Sequence, residues 1–351
     1  MDRPVVAVIL AGGTGSRLYP ASRSDRPKQF LALGDPDDDR SLLARTSART
    51  GFADATLVAT RPEFADEVPE HAPEAEVVVE PAGKDTGPAI LYATHRAREA
   101  VDGEREPVVV VLPADHHVPD GDAFEATMAR GARVAGDTGR LVAFGVEPTR
   151  PATGYGYIEP GADRTTEHGA IAYRELAAFH EKPDADRAAE YVDSGYYWNA
   201  GIFAWTPAAL FEQARDTPLA PLVAELDGDD PDPAAGFEAV DPVSIDYAVM
   251  ERADRAAVIP AAFAWDDLGA WDALDRVIDP DADGNVVAGD AEALAVDAAD
   301  NVVAGDDTHV SLVGVDGLCV VAYDDRVLVV PKEDAQRVRD AVDRLKETGE
   351  F

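Results

Sequence analysis

The sequence predicts an α/β fold: a Rossmann-like, mostly parallel sheet with helices on both faces, followed by a small C-terminal β-rich segment and a closing helix. Three observations predict it. Apolar runs rich in Val, Ile, Leu and Ala recur at 5–10, 55–60, 108–112 and 141–146, as strands covered on both sides require. Segments with helical spacing separate them, at 41–50, 87–100 and 124–135, and this alternation suits parallel strands joined by crossovers. The hexapeptide NVVAGD occurs twice, at Asn285 and Asn301, a repeat that reads either as stacked short strands, a stub of β-helix, or as a simple hairpin.

Taken in order, the first strand runs straight into Ala11-Gly12-Gly13-Thr14-Gly15-Ser16-Arg17. Glycines there let backbone N–H groups approach a phosphate chain with no Cβ in the way, and Arg17 and Lys28 supply positive charge. The spacing excludes two common sites. A dinucleotide fingerprint read from Gly13 needs glycine at 18, which is Leu18, and no Gly-Lys-Ser/Thr closes a Walker loop. Ser41 is placed to cap the helix that follows it. A strand is expected at 77–80, and Pro107 precedes the next one. After Gly154-Tyr155-Gly156-Tyr157 the strands shorten and aromatic residues gather, from Phe179 through Tyr196, Tyr197, Trp198, Phe203 and Trp205. Residues 216–242, rich in Pro, Asp and Gly, read as an irregular acidic linker or insertion, and 244–252 as a helix. A boundary is expected near Pro280-Asp281-Ala282-Asp283-Gly284, dividing the chain into 1–280 and 281–351. Residues 332–348 have the charge and spacing of the closing amphipathic helix.

The chain has 351 residues, with 68 Asp and Glu against 31 Lys and Arg, a net charge of −37. Only five residues are Lys: Lys28, Lys84, Lys182, Lys332 and Lys346. Acid spread along the whole length, with scarce Lys, is the composition of a protein kept soluble in concentrated salt, and a halophilic source is expected. The same charge argues against a nucleic-acid partner. Cys319 is the only cysteine, so no intramolecular disulfide and no four-Cys zinc site can form. No signal-like leader and no apolar run of about 20 residues occurs, and a cytoplasmic protein without a membrane partner is expected.

GGTGSRLYP followed by SRSDRPKQFLAL resembles the signature of the sugar-1-phosphate nucleotidyltransferases, and Gln29-Phe30-Leu31 after Pro27-Lys28 resembles their mannose-1-phosphate guanylyltransferase branch. Tyr19 stands where that branch more often has Trp. The resemblance spans about residues 4–275 through six motifs in the expected order. It implies a catalytic domain over 1–280 that makes GDP-mannose from GTP and mannose 1-phosphate, using Mg²⁺ with Mn²⁺ as the alternative metal. The nearest rivals are transfer to another sugar 1-phosphate or from another NTP (glucose 1-phosphate with UTP or dTTP, for example) and a non-catalytic subunit that senses a sugar nucleotide. A homodimer contact through the C-terminal strands is left open.

Site residues follow from the matching motifs. Asp115, in Leu112-Pro113-Ala114-Asp115-His116, sits at the carboxyl end of a buried strand, where open α/β sheets place ligands. Alone it is one acidic residue among many. The resemblance makes it a metal and nucleotide ligand, paired with Asp267 of Trp265-Asp266-Asp267-Leu268-Gly269; Asp266 is the variable neighbour. His116 and His117 read as structural, because Mg²⁺ prefers oxygen ligands. Gly12, Gly13, Thr14 and Gly15 are expected on the nucleotide phosphates, with Arg17 and Lys28 as catalytic cations. Glu80, Asp85 and Thr86 lie in a segment resembling the base-recognition loop, where Asp85 and Gly87 replace the more usual Asn and Ala. Guanine presents N–H donors, which a Glu80 carboxylate suits. Gly154, Glu181, Lys182 and Asn199 are implied for the sugar phosphate, and the aromatic section that follows Gly154 is expected to form the sugar side of the site.

Overall fold

Val6, Ala7, Val8 and Ile9, all 0% exposed, fill the middle of the strand β1 (Val5–Leu10), which is hydrogen-bonded on both edges and covered on both faces. The computed structural model describes residues 3–102, 105–167 and 171–351. They fall into two compact units, each assembled from three separate stretches. The first comprises Met1–Gly12, Ser47–Pro113 and Pro119–Ala264, the second Gly13–Thr46, Ala114–Val118 and Trp265–Phe351. The chain therefore leaves the first unit at Gly12 and again at Pro113, immediately after β1 and after the fourth strand.

In the first unit, β1 is joined by β2 (Ala55–Thr60), β3 (Glu76–Val79), β4 (Val108–Pro113), β5 (Leu141–Val146), β6 (Tyr157–Thr165), β7 (Ala172–His180), β8 (Tyr197–Trp205) and β9 (Ala256–Pro260). They form one sheet in the order β3-β2-β1-β4-β8-β5-β9-β7-β6. The β3-β2-β1-β4 half is parallel, as the uninterrupted Val and Ile runs predict. β8 enters antiparallel between β4 and β5, and the β6–β7 pair is antiparallel as well. Helices cover both faces. Val6, Val8, Val109 and Val111 pack with Ile90, Leu91 and Ala93 of helix Thr86–Arg96. On the other face the Phe144 ring sits so close to Gly131 of helix Gly121–Thr138 that a Cβ there would lie 2.2 Å from it.

Residues 216–242 are not an irregular linker. They contain helices Ala220–Leu226 and Pro233–Glu238, the second capped by Asp232, whose carboxylate accepts from Ala235 N. Leu219, Leu222, Val223, Leu226 and Phe237 are all buried in the main core. Their apolar spacing outweighs the surrounding Pro, Asp and Gly. The helix expected at 244–252 is shorter: one turn at Ile245–Ala248, then a 3-10 turn at Met250–Arg252.

The second unit holds β10 (Val286–Gly289), β11 (Glu292–Val296), β12 (Val302–Gly305), β13 (His309–Val313), β14 (Leu318–Tyr323) and β15 (Arg326–Pro331). The NVVAGD copies pair in parallel, Val286 with Val302 and Gly289 with Gly305, so the hairpin reading falls and the stacked one holds. β14 adds a third parallel rung and β15 returns antiparallel, while β11 and β13 pair in a separate parallel sheet. Asn285 and Asn301, 3% and 0% exposed, link the rungs: Asn301 Nδ2 donates to Asn285 Oδ1 (3.0 Å) and to the Val315 carbonyl (3.0 Å). The boundary expected near Pro280 marks the start of these rungs, inside the second unit. The closing segment is a 3-10 turn, Lys332–Arg337, followed by helix Val338–Thr348. Among the described residues no helix is long and apolar enough to cross a membrane.

Candidate active site

In the second unit, a candidate site is built around Lys28. This side chain is buried, which a lysine tolerates only with partners. Its Nζ donates to the Asp115 carboxylate (2.8 Å) and to the Asp267 backbone carbonyl (2.5 Å). The glycine loop holds it there. Lys28 N donates to the Thr14 carbonyl (3.3 Å), and Gly15 adopts the left-handed conformation (φ 65°) directly against the Lys28 stem, where a Cβ would lie 2.3 Å from Lys28 Cβ. Burial opposes ionisation of Asp115, but the Lys28 ammonium outweighs it and holds the carboxyl below its ordinary range. The Asp115 side chain remains one-third exposed, open to a ligand on its other side.

Asp267 lies in the same network. An antiparallel bridge between His117 and Asp266 (2.9 and 3.1 Å) sets residues 115–117 alongside 265–267. Asp266 is buried and gripped by Arg276 through two bonds (2.6 and 3.1 Å), so it serves the fold. Asp267 is half-buried, oriented by Gly269 N donating to its Oδ1 (3.1 Å). His116 accepts from the Trp265 indole through Nδ1 (3.0 Å), a structural contact. Among the described residues no group of three or more His, Cys, Asp or Glu side chains could hold a metal alone. The carboxylate oxygens of Asp115 and Asp267 are the donor type a hard cation takes, with phosphate oxygens and water completing its shell. Arg17 is turned to the C-terminal segment, its Nη1 donating to Gln336 Oε1 (3.0 Å). A Cβ on Gly13 would meet nothing within 4 Å, so this backbone is open to a ligand.

In the first unit Glu80, 5% exposed, lies over Gly12: a Cβ on Gly12 would sit 2.9 Å from Glu80 Oε1. Burial pushes the Glu80 carboxyl up to about 7, and Arg61 at 3.8 Å only partly counters it. Asp85 takes φ 68° and its carboxylate accepts from Thr86 N (2.7 Å), capping helix Thr86–Arg96. The Thr86 hydroxyl accepts from Ile245 N (3.0 Å). Gly87 is needed because its N–H donates to the Val243 carbonyl (2.9 Å) and a Cβ would lie 2.5 Å from that oxygen.

Further along the same unit, the Glu181 carboxylate rests on Gly156, where a Cβ would be 2.5 Å from Oε2. Gly156, not Gly154, is thus the glycine closely approached by a side chain; the space at Gly154 is open. Lys182 pairs with Glu181 and is itself exposed. The Asn199 backbone N–H donates to the Gly156 carbonyl (2.8 Å) and its Nδ2 to Asp246 (2.9 Å). Of the aromatic residues expected on the sugar side, Phe179, Phe203 and Trp205 belong to the core. Trp198 is also buried, edge-on to Tyr155 (5.1 Å).

Residues 6–283 match the family described as Nucleotidyl transferase, and 291–345 match the MannoseP isomerase/GMP-like beta-helix domain. The chain belongs to the nucleotidyl transferase family. It is 37% identical to the alginate biosynthesis protein AlgA of Pseudomonas aeruginosa, over 98% of this chain and 73% of that protein. It is 36% identical to a mannose-1-phosphate guanylyltransferase of Sinorhizobium fredii, over 97% of this chain and 68% of that one. A solved structure described as mannose-1-phosphate geranyltransferase from Thermus thermophilus superimposes with a TM-score of 0.85 at 37% identity, covering 97% of this chain and 99% of that one.

For a nucleotidyl transferase of this kind, two partners escape sequence reasoning. Asp246 looked like an ordinary helix residue, because Ser244-Ile245-Asp246-Tyr247 carries only a capping signal. Arg276, which occupies Asp266 and leaves Asp267 as the other carboxylate of the pair, has no motif of its own.

Proposed function

We propose that this protein transfers GMP from GTP to α-D-mannose 1-phosphate, giving GDP-mannose and pyrophosphate. The observation that carries it is the Lys28 network, joining Asp115 to the Asp267 backbone, in a chain 36% identical over 97% of its length to a relative named for this reaction. A phosphate oxygen of the sugar 1-phosphate attacks the α-phosphorus of the nucleotide. The bond from that phosphorus to the bridging oxygen breaks, and pyrophosphate leaves with the electron pair. The nucleophile is already an anion, so the protein needs no base; it must position two anions and offset their charge. Lys28 donates to the nucleotide phosphates, Arg17 joins it by exchanging its Gln336 partner for them, and the open backbone at Gly13 admits them. Asp115 and Asp267 would hold a divalent cation, Mg²⁺ in this reading, which would supply charge to offset that on the transferring phosphoryl group. Glu80, ionised, accepts from the guanine N–H edge, and Asp85 and Thr86 fix the loop beside it. Glu181, Lys182, Asn199 and the Gly154 backbone serve the sugar phosphate.

The test is pyrophosphate release across a panel of NTPs and sugar 1-phosphates. Turnover with GTP and mannose 1-phosphate is expected; turnover confined to UTP or dTTP overturns the guanylyl assignment, and none at all points to a sensing subunit. Asp115→Asn and Asp267→Asn should each lower kcat/KM by about 10²-fold or more, the scale of one strong transition-state contact, while thermal melts confirm that both variants fold.

A further inference from the structure

The Asn199 amide, expected to meet a sugar hydroxyl, is already committed within the protein. Its Oδ1 accepts from Gly201 N (3.1 Å) and its Nδ2 donates to an Asp246 carboxylate oxygen (2.9 Å). An amide anchored at both ends offers a ligand less than the carboxylate it holds. Asp246 is half-buried, and an ionised carboxylate accepts about four hydrogen bonds. Asn199 and the residue's own backbone N–H occupy only part of that capacity.

Its position is fixed from two directions. On one side the Asn199 backbone N–H donates to the Gly156 carbonyl (2.8 Å), and Gly156 is the residue on which the Glu181 carboxylate rests. On the other, Ile245 N donates to the Thr86 hydroxyl (3.0 Å) and Gly87 N to the Val243 carbonyl (2.9 Å), so the residues just before Asp246 are tied to the loop that carries Asp85. Burial first, and then the Glu181 charge, push Asp246 up to about 6. Two neighbouring carboxylates facing the same region repel, and hydroxyl donors between them relieve that repulsion.

We propose that Asp246 is a specificity-determining acceptor for a hydroxyl of the sugar 1-phosphate, and that Asn199 is the positioning residue that aims it. This rests on the reading that Glu181 serves the sugar. Asp246 selects for a donor at one ring position: an analogue without that hydroxyl leaves the carboxylate partly unmatched.

The experiment compares wild type, Asp246→Asn and Asn199→Ala, with melts to confirm folding, on the sugar 1-phosphate that wild type turns over and on its monodeoxy analogues. Asp246→Asn should raise KM for the sugar phosphate by about tenfold, the scale of one charge-assisted hydrogen bond, and leave KM for the nucleotide unchanged. Asn199→Ala should raise the same KM, again without touching the nucleotide. One deoxy analogue should be penalised in wild type and carry no added penalty in Asp246→Asn. Wild-type KM for the sugar in Asp246→Asn, or equal penalties for every analogue in both enzymes, overturns the assignment of Asp246 and leaves the transfer reaction standing. Failure of wild type to turn over mannose 1-phosphate, with another sugar 1-phosphate accepted, overturns the functional reading while Asp246 is still tested on the accepted sugar.

Discussion

Glu80 is the residue whose environment most directly sets a measurable property. The folded chain holds its proton more tightly than the unfolded chain, because burial pushes the carboxyl up to about 7. The protonated form therefore favours folding, and that advantage is present at acid pH. It is lost as pH rises from the ordinary carboxylate range through about 7, where ionisation inside the fold costs roughly 3 kcal/mol at most. The difference in unfolding free energy between wild type and Glu80→Gln, measured by urea titration at several pH values, should shift against wild type across that window and level off above it. A constant difference would mean Glu80 ionises normally. Its proposed role adds a second expectation. Only the ionised form accepts both guanine donors, so GTP affinity measured by calorimetry should rise as pH passes through about 7, and Glu80→Gln should lose that dependence.

Among the elements, the rungs β10, β12 and β14 depend on a buried amide pair. Asn301 bonds to Asn285 Oδ1 and to the Val315 carbonyl, and its own Oδ1 accepts from Leu318 N (3.0 Å). Asn301→Ala leaves all three without that partner in a dry interior and should cost about 2–3 kcal/mol in a denaturant melt. A cost within experimental error would mean water replaces the ladder. The repeat was legible because identical residues recur one turn apart, and β1, β2, β4 and β5 because fully covered strands leave unbroken aliphatic runs. The third rung was not, since Leu318–Tyr323 keeps only the Val-Val-Ala of the repeat, at 320–322, without its leading Asn or its turn Gly, and pairs one residue out of step with it. Helix Ala220–Leu226 was hidden for the opposite reason: its apolar spacing is sound, but Pro, Asp and Gly on both sides outnumber it. At the site, Asp115 and Asp267 stood out through their motifs. What Asn199 does with its amide could not, because side-chain commitment to Asp246 is a tertiary fact with no sequence spacing to betray it.

At the scale of the whole molecule, the balance of charge is lopsided. A net of −37 spread over both units means that the 31 Lys and Arg cannot offset the 68 Asp and Glu one for one. At about 0.1 M salt the Debye length is about 10 Å, long enough for neighbouring acids to repel across the surface; at about 1 M it shrinks to about 3 Å and that repulsion is screened. The folded state concentrates the charge more than the unfolded chain does, so screening favours folding. The melting temperature should therefore climb by more than about 3 °C between dilute buffer and about 2 M KCl, the shift that ~2 kcal/mol produces in a protein of this size. KCl is the salt to use, because sulfate stabilises compact states generally by exclusion from the surface. A melting temperature that stays flat or falls in KCl would show that the acidic surface is not self-repelling in the fold, and with it the expectation of a halophilic source would lose its physical basis.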